Sequence, residues 1–271
     1  MPLKTVERIM PLYFGAPDKR LFACYHEPAL ERRSKCAVVV CQPIVHEYIN
    51  SHRALRQLAS RLCYAGFPVL RFDYYGCGDS SGRAEEGRIP QWLEDISTAI
   101  SEVRRRTGAL QVCLIGLRVG GALAMIAAAE RTHPESLVLW DPVVSGKSYL
   151  DGLLRLQKDM LRFRPKPRGA QEPLDYIDVL GFPLSRFLQT ELKNIDLRTL
   201  AGTSAKNILV IQTDQTADEA RWQEHLSQME ARLEYQRLDA PPIWLPTSDG
   251  SLVVPSQILH SIVSWTSKVH A

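Results

Sequence analysis

The residues with the clearest chemical signature are Gly116-Leu117-Arg118-Val119-Gly120-Gly121, inside the run Gln111–Ala124. An apolar β-type run, Val112–Ile115, leads straight into them, and an apolar helical pattern starts directly behind. This strand–turn–helix context is the one in which G-x-S-x-G holds an exposed serine nucleophile on a strained turn. The glycines stand where strand, turn and helix pack closely and no side chain fits. The nucleophile itself is missing. Position 118 is an arginine, whose guanidinium keeps its proton at physiological pH and cannot attack. At the N-terminal end of a helix the unpaired N–H groups and the dipole already favour an anion, so a cation added there needs a negative partner. That partner is either a carboxylate, phosphate or enolate on a ligand or a carboxylate of the chain.

A second stretch matches the nucleophile pattern literally. Gly78-Asp79-Ser80-Ser81-Gly82 has Ser80 at its centre, but it follows a strand as a loop, and the next helical pattern begins only near Pro90. Asp and Ser in such a loop hydrogen-bond the local backbone, so Ser80 is read as a turn residue. Cys77, in the same rim, needs only a lowered pKa to become a nucleophile, yet no histidine adjoins it in sequence.

Strands and helices must position these loops. Alternation over residues 10–26 around Ala16-Pro17-Asp18 predicts an antiparallel hairpin of Leu12–Phe14 with Leu21–Tyr25. Cys36–Cys41, CAVVVC, reads as a strand buried on both faces. The loop QPIVHEYIN follows, then a helix predicted over Ser51–Tyr64 and a strand over Pro68–Phe72. Pro90–Arg106 is helical, with proline at its start and arginines in its last turn, where they complement the dipole. Leu137–Trp140, Asn207–Gln212 and Leu233–Leu238 are further strands, and Ser256–Lys268 is a closing amphipathic helix. Strands alternating with helices at this spacing specify an α/β chain with a parallel sheet covered on both faces. From Ser145 to Ala205 the pattern changes to helical segments broken by Pro165, Pro167, Pro173 and Pro183, with a basic run Arg162–Arg168. Residues 145–205 are therefore expected to form a helical cap on a core of residues 1–144 and 206–271.

The composition narrows the class. With 45% apolar and 23% charged residues in 271, the chain is an ordinary globular protein, one large domain or one domain with an insertion. A net charge of +3 argues against nucleic acid or a membrane surface as main partner. No apolar run is long enough for a membrane span, and MPLKTVERIMPLYFG lacks the apolar core of a signal peptide. The six cysteines are scattered with no C-x-x-C pair, which predicts reduced core thiols, no zinc site, no cofactor motif and a cytoplasmic setting.

Together, the hairpin start, FDYYGCGDSSG after the fourth strand, GLRVGG and the placement of the later strands resemble the α/β-hydrolase superfamily over nearly the whole chain. More narrowly, HEYINSHRALRQLA, FDYYGCGDSSG, QWLEDIS and GLRVGGALA look like the hydrolase-like proteins associated with exosortase systems and relatives near biosynthetic genes. Those relatives often carry arginine at the same turn. The resemblance implies an α/β-hydrolase fold and a place in a biosynthetic pathway.

It also implies where a triad would lie, in the chain order nucleophile, acid, histidine. The nucleophile position is Arg118, and the acid position is Asp214 or Asp141. The histidine position falls in the loop Asp239–Trp244, which has none; His260 sits inside the last helix and His270 at the end of the chain. Serine-type chemistry is thus not expected. In the superfamily the loop after the third strand faces the turn, which makes Glu47 the first internal partner for Arg118, ahead of Asp141 and Asp214. His46 beside Glu47 would add a base for proton transfer, while His52 reads as a surface or capping residue. Tyr48, Tyr75, Val119, Trp140 and Trp244 are the candidate pocket-lining residues. Three functions follow: a protein that binds or transforms an acyl, carbonyl or carboxylated small molecule; a retired hydrolase that binds a carrier protein or a second copy; and an esterase or thioesterase. An open pocket facing Arg118 favours the first, and a closed Arg118–Glu47 or Arg118–Asp141 pair without a cavity favours the second.

Overall fold

The computed structural model of the chain describes residues 7–29, 33–162, 175–213, 219–245 and 253–271. A single sheet of eight strands organises it. Strands β1 (Arg8–Phe14) and β2 (Leu21–Glu27) form the predicted antiparallel hairpin at one edge, in register from Arg8 opposite Glu27 to Phe14 opposite Leu21. The sheet continues through β4 (Val69–Phe72), β3 (Cys36–Cys41), β5 (Gln111–Leu117), β6 (Ser136–Trp140), β9 (Asn207–Gln212) and β10 (Arg232–Arg237). From β4 onward every neighbouring pair is parallel.

Continuous apolar strands follow from burial on both faces. Alternate residues of β3 divide between two cores: Ala37 and Val39 pack under α2 (Ile89–Thr107) and α3 (Val119–Glu130), while Val38 and Val40 pack under α1 (Val45–Tyr64) and α7 (Ser256–Val269). Leu58 and Leu62 of α1 meet the second core, and Trp92 and Ile96 of α2 meet the first. Each such side chain, fully buried, contributes about 1.5–3 kcal/mol.

Two helices differ from the expected pattern. Helix α1 starts at Val45, so His46, Glu47 and Tyr48 lie in its first turn and not in a loop. Ser51, read as the start of the helix, instead donates its hydroxyl to the Glu47 carbonyl one turn back, a bond that a helix interior accommodates. Ile44 is the extended flanking residue, and Val45 turns the chain with a positive φ of 51°. A short helix, α6 (Glu219–Ser227), also precedes β10 without having been expected.

The 145–205 segment holds α4 (Gly146–Leu161), α5 (Arg186–Lys193) and, between them, a hairpin of β7 (Tyr176–Val179) and β8 (Phe182–Ser185) that helical spacing did not predict. Ser145 and Ser185 cap the two helices through their hydroxyls. Pro165, Pro167, Pro173 and most of the basic run Arg162–Arg168 lie outside the described residues. The segment is joined to the core through Glu191. Its carboxylate accepts from Arg88 Nε at 2.7 Å and from the Ile89 N–H at 2.9 Å, so a residue of α5 caps the start of α2.

Candidate functional site

The turn between β5 and α3 has the geometry its glycines require. A Cβ on Gly116 would lie 2.4 Å from the Gly120 carbonyl oxygen, and one on Gly120 would lie 2.1 Å from that of Cys41. Both contacts are with backbone that cannot step aside. Arg118, at the apex, has φ 56° and ψ −121°, a conformation that costs a side-chain-bearing residue roughly 1–3 kcal/mol. Its own backbone is fixed on both sides: the N–H donates to the Trp140 carbonyl, and the carbonyl accepts from Gly121, Ala122 and Val143.

The closed Arg118–Glu47 pair expected of a retired hydrolase is present, although the guanidinium is enclosed and not sealed. Nε donates to Glu47 Oε1 at 3.1 Å, and Nη1 donates to the Asp141 carbonyl at 3.4 Å. The group lies over the Trp244 ring at 4.6 Å and faces the Tyr149 ring at 5.7 Å. Glu47's second oxygen accepts from the Tyr149 hydroxyl at 3.1 Å. The Arg118 side chain keeps 23% of its surface exposed, against 2% for Glu47. Among the described residues, Nη2 has no protein partner.

Electrostatics follow from that burial. Desolvation pushes the Glu47 carboxyl above its usual range, although Arg118 and Tyr149 pull it back. Burial also works against the Arg118 charge, but Glu47 outweighs it and the guanidinium is held more tightly protonated than usual. His46 is buried, neither ring nitrogen has a hydrogen-bond partner, and desolvation with the nearby Arg118 charge lowers its pKa to about 4. It is neutral at physiological pH and a weak base.

The remaining predicted residues take separate roles. Asp141 stands near the site, at a positive φ of 42°, but gives Arg118 its carbonyl. Its carboxylate accepts from the Thr213 N–H at 2.8 Å and the Thr213 hydroxyl at 3.0 Å, holding the end of β9. Asp214 lies outside the described residues. Trp244 is a wall of the site, whereas Trp140 and Val119 are core residues beneath it. Tyr48 turns to Asp73, and Tyr75 turns outward, its hydroxyl donating to Glu86. His260 is exposed on α7; His270 bonds Ser136 and Gln111 at the far end of β5, roughly 20 Å from Arg118 at about 3.3 Å per residue. Ser80 holds the Phe22 N–H and the Asp73 carbonyl, and burial pushes the Cys77 thiol to about 12, so neither is an activated nucleophile. Among the described residues no cluster of His, Cys, Asp and Glu is arranged to hold a metal ion.

Two residues of the site escaped the sequence. Tyr149 comes from the first turn of α4, and the signal for it is its position just behind Trp140-Asp141-Pro142, where β6 opens onto the site. Gln42, at the end of β3, donates to the Phe72 carbonyl at 2.6 Å and to Asp73 Oδ1 at 3.0 Å. A neutral amide beside Pro43 carries no distinguishing pattern.

Solved structures with this fold include Est1E of Butyrivibrio proteoclasticus bound to ferulic acid, with TM-score 0.65, 16% identity and coverage of 95% of this chain and 98% of that one. A Pyrococcus furiosus esterase gives TM-score 0.66 at 13% identity, covering 98% of this chain and 92% of its own. Human mitochondrial palmitoyl-protein thioesterase ABHD10 is 31% identical over 107 residues, 39% of this chain and 32% of the relative. Rat monoglyceride lipase is 26% identical over 149 residues, 53% of this chain and 47% of the relative. The chain thus spans less than half the length of these curated relatives. A family model described as serine aminopeptidase, S33, matches residues 34–173, more than half of the 271. With its mostly parallel sheet, its strained turn and that match, the chain belongs to the serine aminopeptidase S33 family of α/β-hydrolase-fold proteins.

Proposed function

We propose that this chain is a hydrolase-fold protein without a serine nucleophile, which binds an acyl, carbonyl or carboxylated small molecule at the elbow and forms no covalent acyl intermediate. One observation carries the reading. The residue on the strained turn is a guanidinium whose Nε and Nη1 are committed to Glu47 and the Asp141 carbonyl, leaving Nη2 as a donor between Trp244 and Tyr149. A carbonyl or carboxylate oxygen is the group such a donor takes. Binding is favoured over turnover because both Glu47 oxygens are occupied and His46 is too weak a base for efficient proton transfer near neutral pH. The setting is a cytoplasmic biosynthetic pathway, with a carrier protein or a second copy as partner; the resemblance to exosortase-associated proteins supports this part.

The second reading is hydrolysis of acyl esters or thioesters, which the similarity to a palmitoyl-protein thioesterase and a monoglyceride lipase favours. A panel of acyl esters and thioesters, assayed for turnover and thermal stabilisation on wild type, Arg118→Ala and Arg118→Ser, separates the two. Stabilisation by carboxylated ligands without turnover, lost in Arg118→Ala, is the expected result. Multiple turnover by wild type supports hydrolysis. Turnover only in Arg118→Ser marks a hydrolase site with its nucleophile removed.

A further inference from the structure

Helix α4 buries one side and turns the other outward. Tyr149, Leu150 and Leu153 pack inward, whereas Lys147, Asp151, Leu154, Arg155, Lys158 and Leu161 are exposed. At about 100° per residue these six fall within an arc of about 120°, which runs about 20 Å along the helix.

The chain's net charge of +3 hides how that charge is placed. Residues 147–162 hold four cations, Lys147, Arg155, Lys158 and Arg162, against two acids, Asp151 and Asp159, so +2 of the +3 sits in this one helix. Cations elsewhere are spent: Arg88 on Glu191, Arg106 on Glu102, Arg131 on Glu94 and Lys206 on Glu135. Among the described residues none of the four on α4 is paired with a carboxylate, and Arg155 donates only to the Asp151 carbonyl one turn back, at 3.2 Å. On the same arc Leu154 and Leu161, two turns apart, leave 40% and 46% of their surface in water.

A ridge of unspent cations beside aliphatic side chains fits a partner that offers anions and, a side chain's length deeper, hydrocarbon. The surface of an anionic bilayer offers both, because phosphates take the Lys and Arg heads while leucines enter the acyl boundary. A polyanion without hydrocarbon would leave Leu154 and Leu161 in water. Tyr149, which serves Glu47, lies on the opposite side of the helix, so docking there leaves the contacts of the elbow in place.

We propose that the outer face of α4 is a docking surface for an anionic lipid bilayer, on which the chain rests reversibly with this helix parallel to the membrane plane. The reading is independent of what the elbow binds.

The test is sedimentation of the whole chain with vesicles of phosphatidylcholine, alone or with about 30% phosphatidylglycerol, at about 0.05 M and 0.3 M salt. Wild type is expected to bind the anionic vesicles at least about tenfold more tightly than the neutral ones, and to weaken as salt rises. At about fivefold per cation, Lys147→Gln/Arg155→Gln/Lys158→Gln is expected to lose about a hundredfold. Lys147→Arg/Lys158→Arg, which keeps the charge, is expected to bind like wild type. Leu154→Ser/Leu161→Ser is expected to lose at least about fivefold on the same anionic vesicles. All three variants change exposed side chains and are expected to melt with wild type. No binding to anionic vesicles at low salt, equal binding to neutral ones, or full binding by the glutamine variant overturns the proposal. Full binding by the serine variant also overturns it, because a face that works by charge alone fits an acidic protein or another polyanion.

Discussion

Glu47 and Arg118, 71 positions apart in sequence, meet at 3.1 Å across the first turn of α1 and the start of α3. Each corrects the other's placement. A carboxylate in the first turn of α1 suits that helix's dipole but is almost wholly buried; a guanidinium at the start of α3 opposes its dipole. Paired, the two charges satisfy both helix ends, and Tyr149 completes the set from the first turn of α4.

Removing one partner of that pair strands the other. Arg118→Ala leaves a buried carboxylate uncompensated and is expected to cost about 3 kcal/mol of unfolding free energy. The double variant Arg118→Met/Glu47→Leu is expected to recover most of it, because apolar residues of similar volume replace a buried pair at little loss. Urea unfolding of wild type, Arg118→Met, Glu47→Leu and the double variant gives the coupling energy directly, and a loss below about 1 kcal/mol in Arg118→Ala sinks the idea that the pair is structural.

His46 makes stability depend on pH in a defined direction. Its folded pKa, about 4, lies below the usual 6.5, so between those values the unfolded chain binds the extra proton and stability falls as pH falls. At about 1.4 kcal/mol per unit the full effect is of order 3 kcal/mol, intact above pH 6.5 and lost by pH 4. His26, His52 and His270 are also lowered and add to the slope. His46→Asn keeps those three, so the difference between the two proteins in unfolding at pH 5 and pH 7 isolates His46. Parallel slopes count against it.

Glycines of the same chain should respond in opposite ways to alanine. Gly120→Ala forces a Cβ to 2.1 Å from the Cys41 carbonyl oxygen and is expected to cost more than about 3 kcal/mol or abolish folding. Gly152→Ala, in α4 with nothing within 4 Å of the new carbon, is expected to stabilise by about 0.5–1 kcal/mol. Thermal melts of both variants decide the matter, and a stable Gly120→Ala would contradict the close approach of α3 to β3.

Glu191 is testable through its two bonds. Glu191→Ala removes the acceptor for Ile89 N–H and the partner of Arg88, and is expected to cost about 1 kcal/mol, the usual value of a helix cap. Because Arg88 is 42% exposed, the charge itself counts for little, and Glu191→Gln is expected to lose less than half as much. Equal losses from the two substitutions would shift the weight from the cap to the charge.

The sheet was legible because its signals are local. CAVVVC and VCLIG read as buried strands and were found as such, and glycine spacing located the turn whose backbone approaches bear it out. The start of α1 was not legible, since Val45 enters the helix through a positive φ that no local preference of a β-branched residue suggests. The Arg118–Glu47 contact could be anticipated only from where the superfamily places the loop after the third strand. Tyr149 and Gln42 depend on contacts 102 and 31 residues away in sequence and on side chains with no patterned neighbours, so the fold had to be seen first. The β7–β8 hairpin was masked by prolines, which Phe182-Pro183 accommodates in a two-stranded ribbon where one partner lacks a neighbour.

Because α5 supplies the acceptor for the first N–H of α2, and α4 supplies the hydroxyl on Glu47, the segment that looks like an inserted module completes the domain beneath it. Excising residues 145–205 would unstitch a core helix and orphan a buried carboxylate in one step. Variation in it is constrained at Glu191 and Tyr149, the two side chains that tie it to the start of α2 and to Glu47.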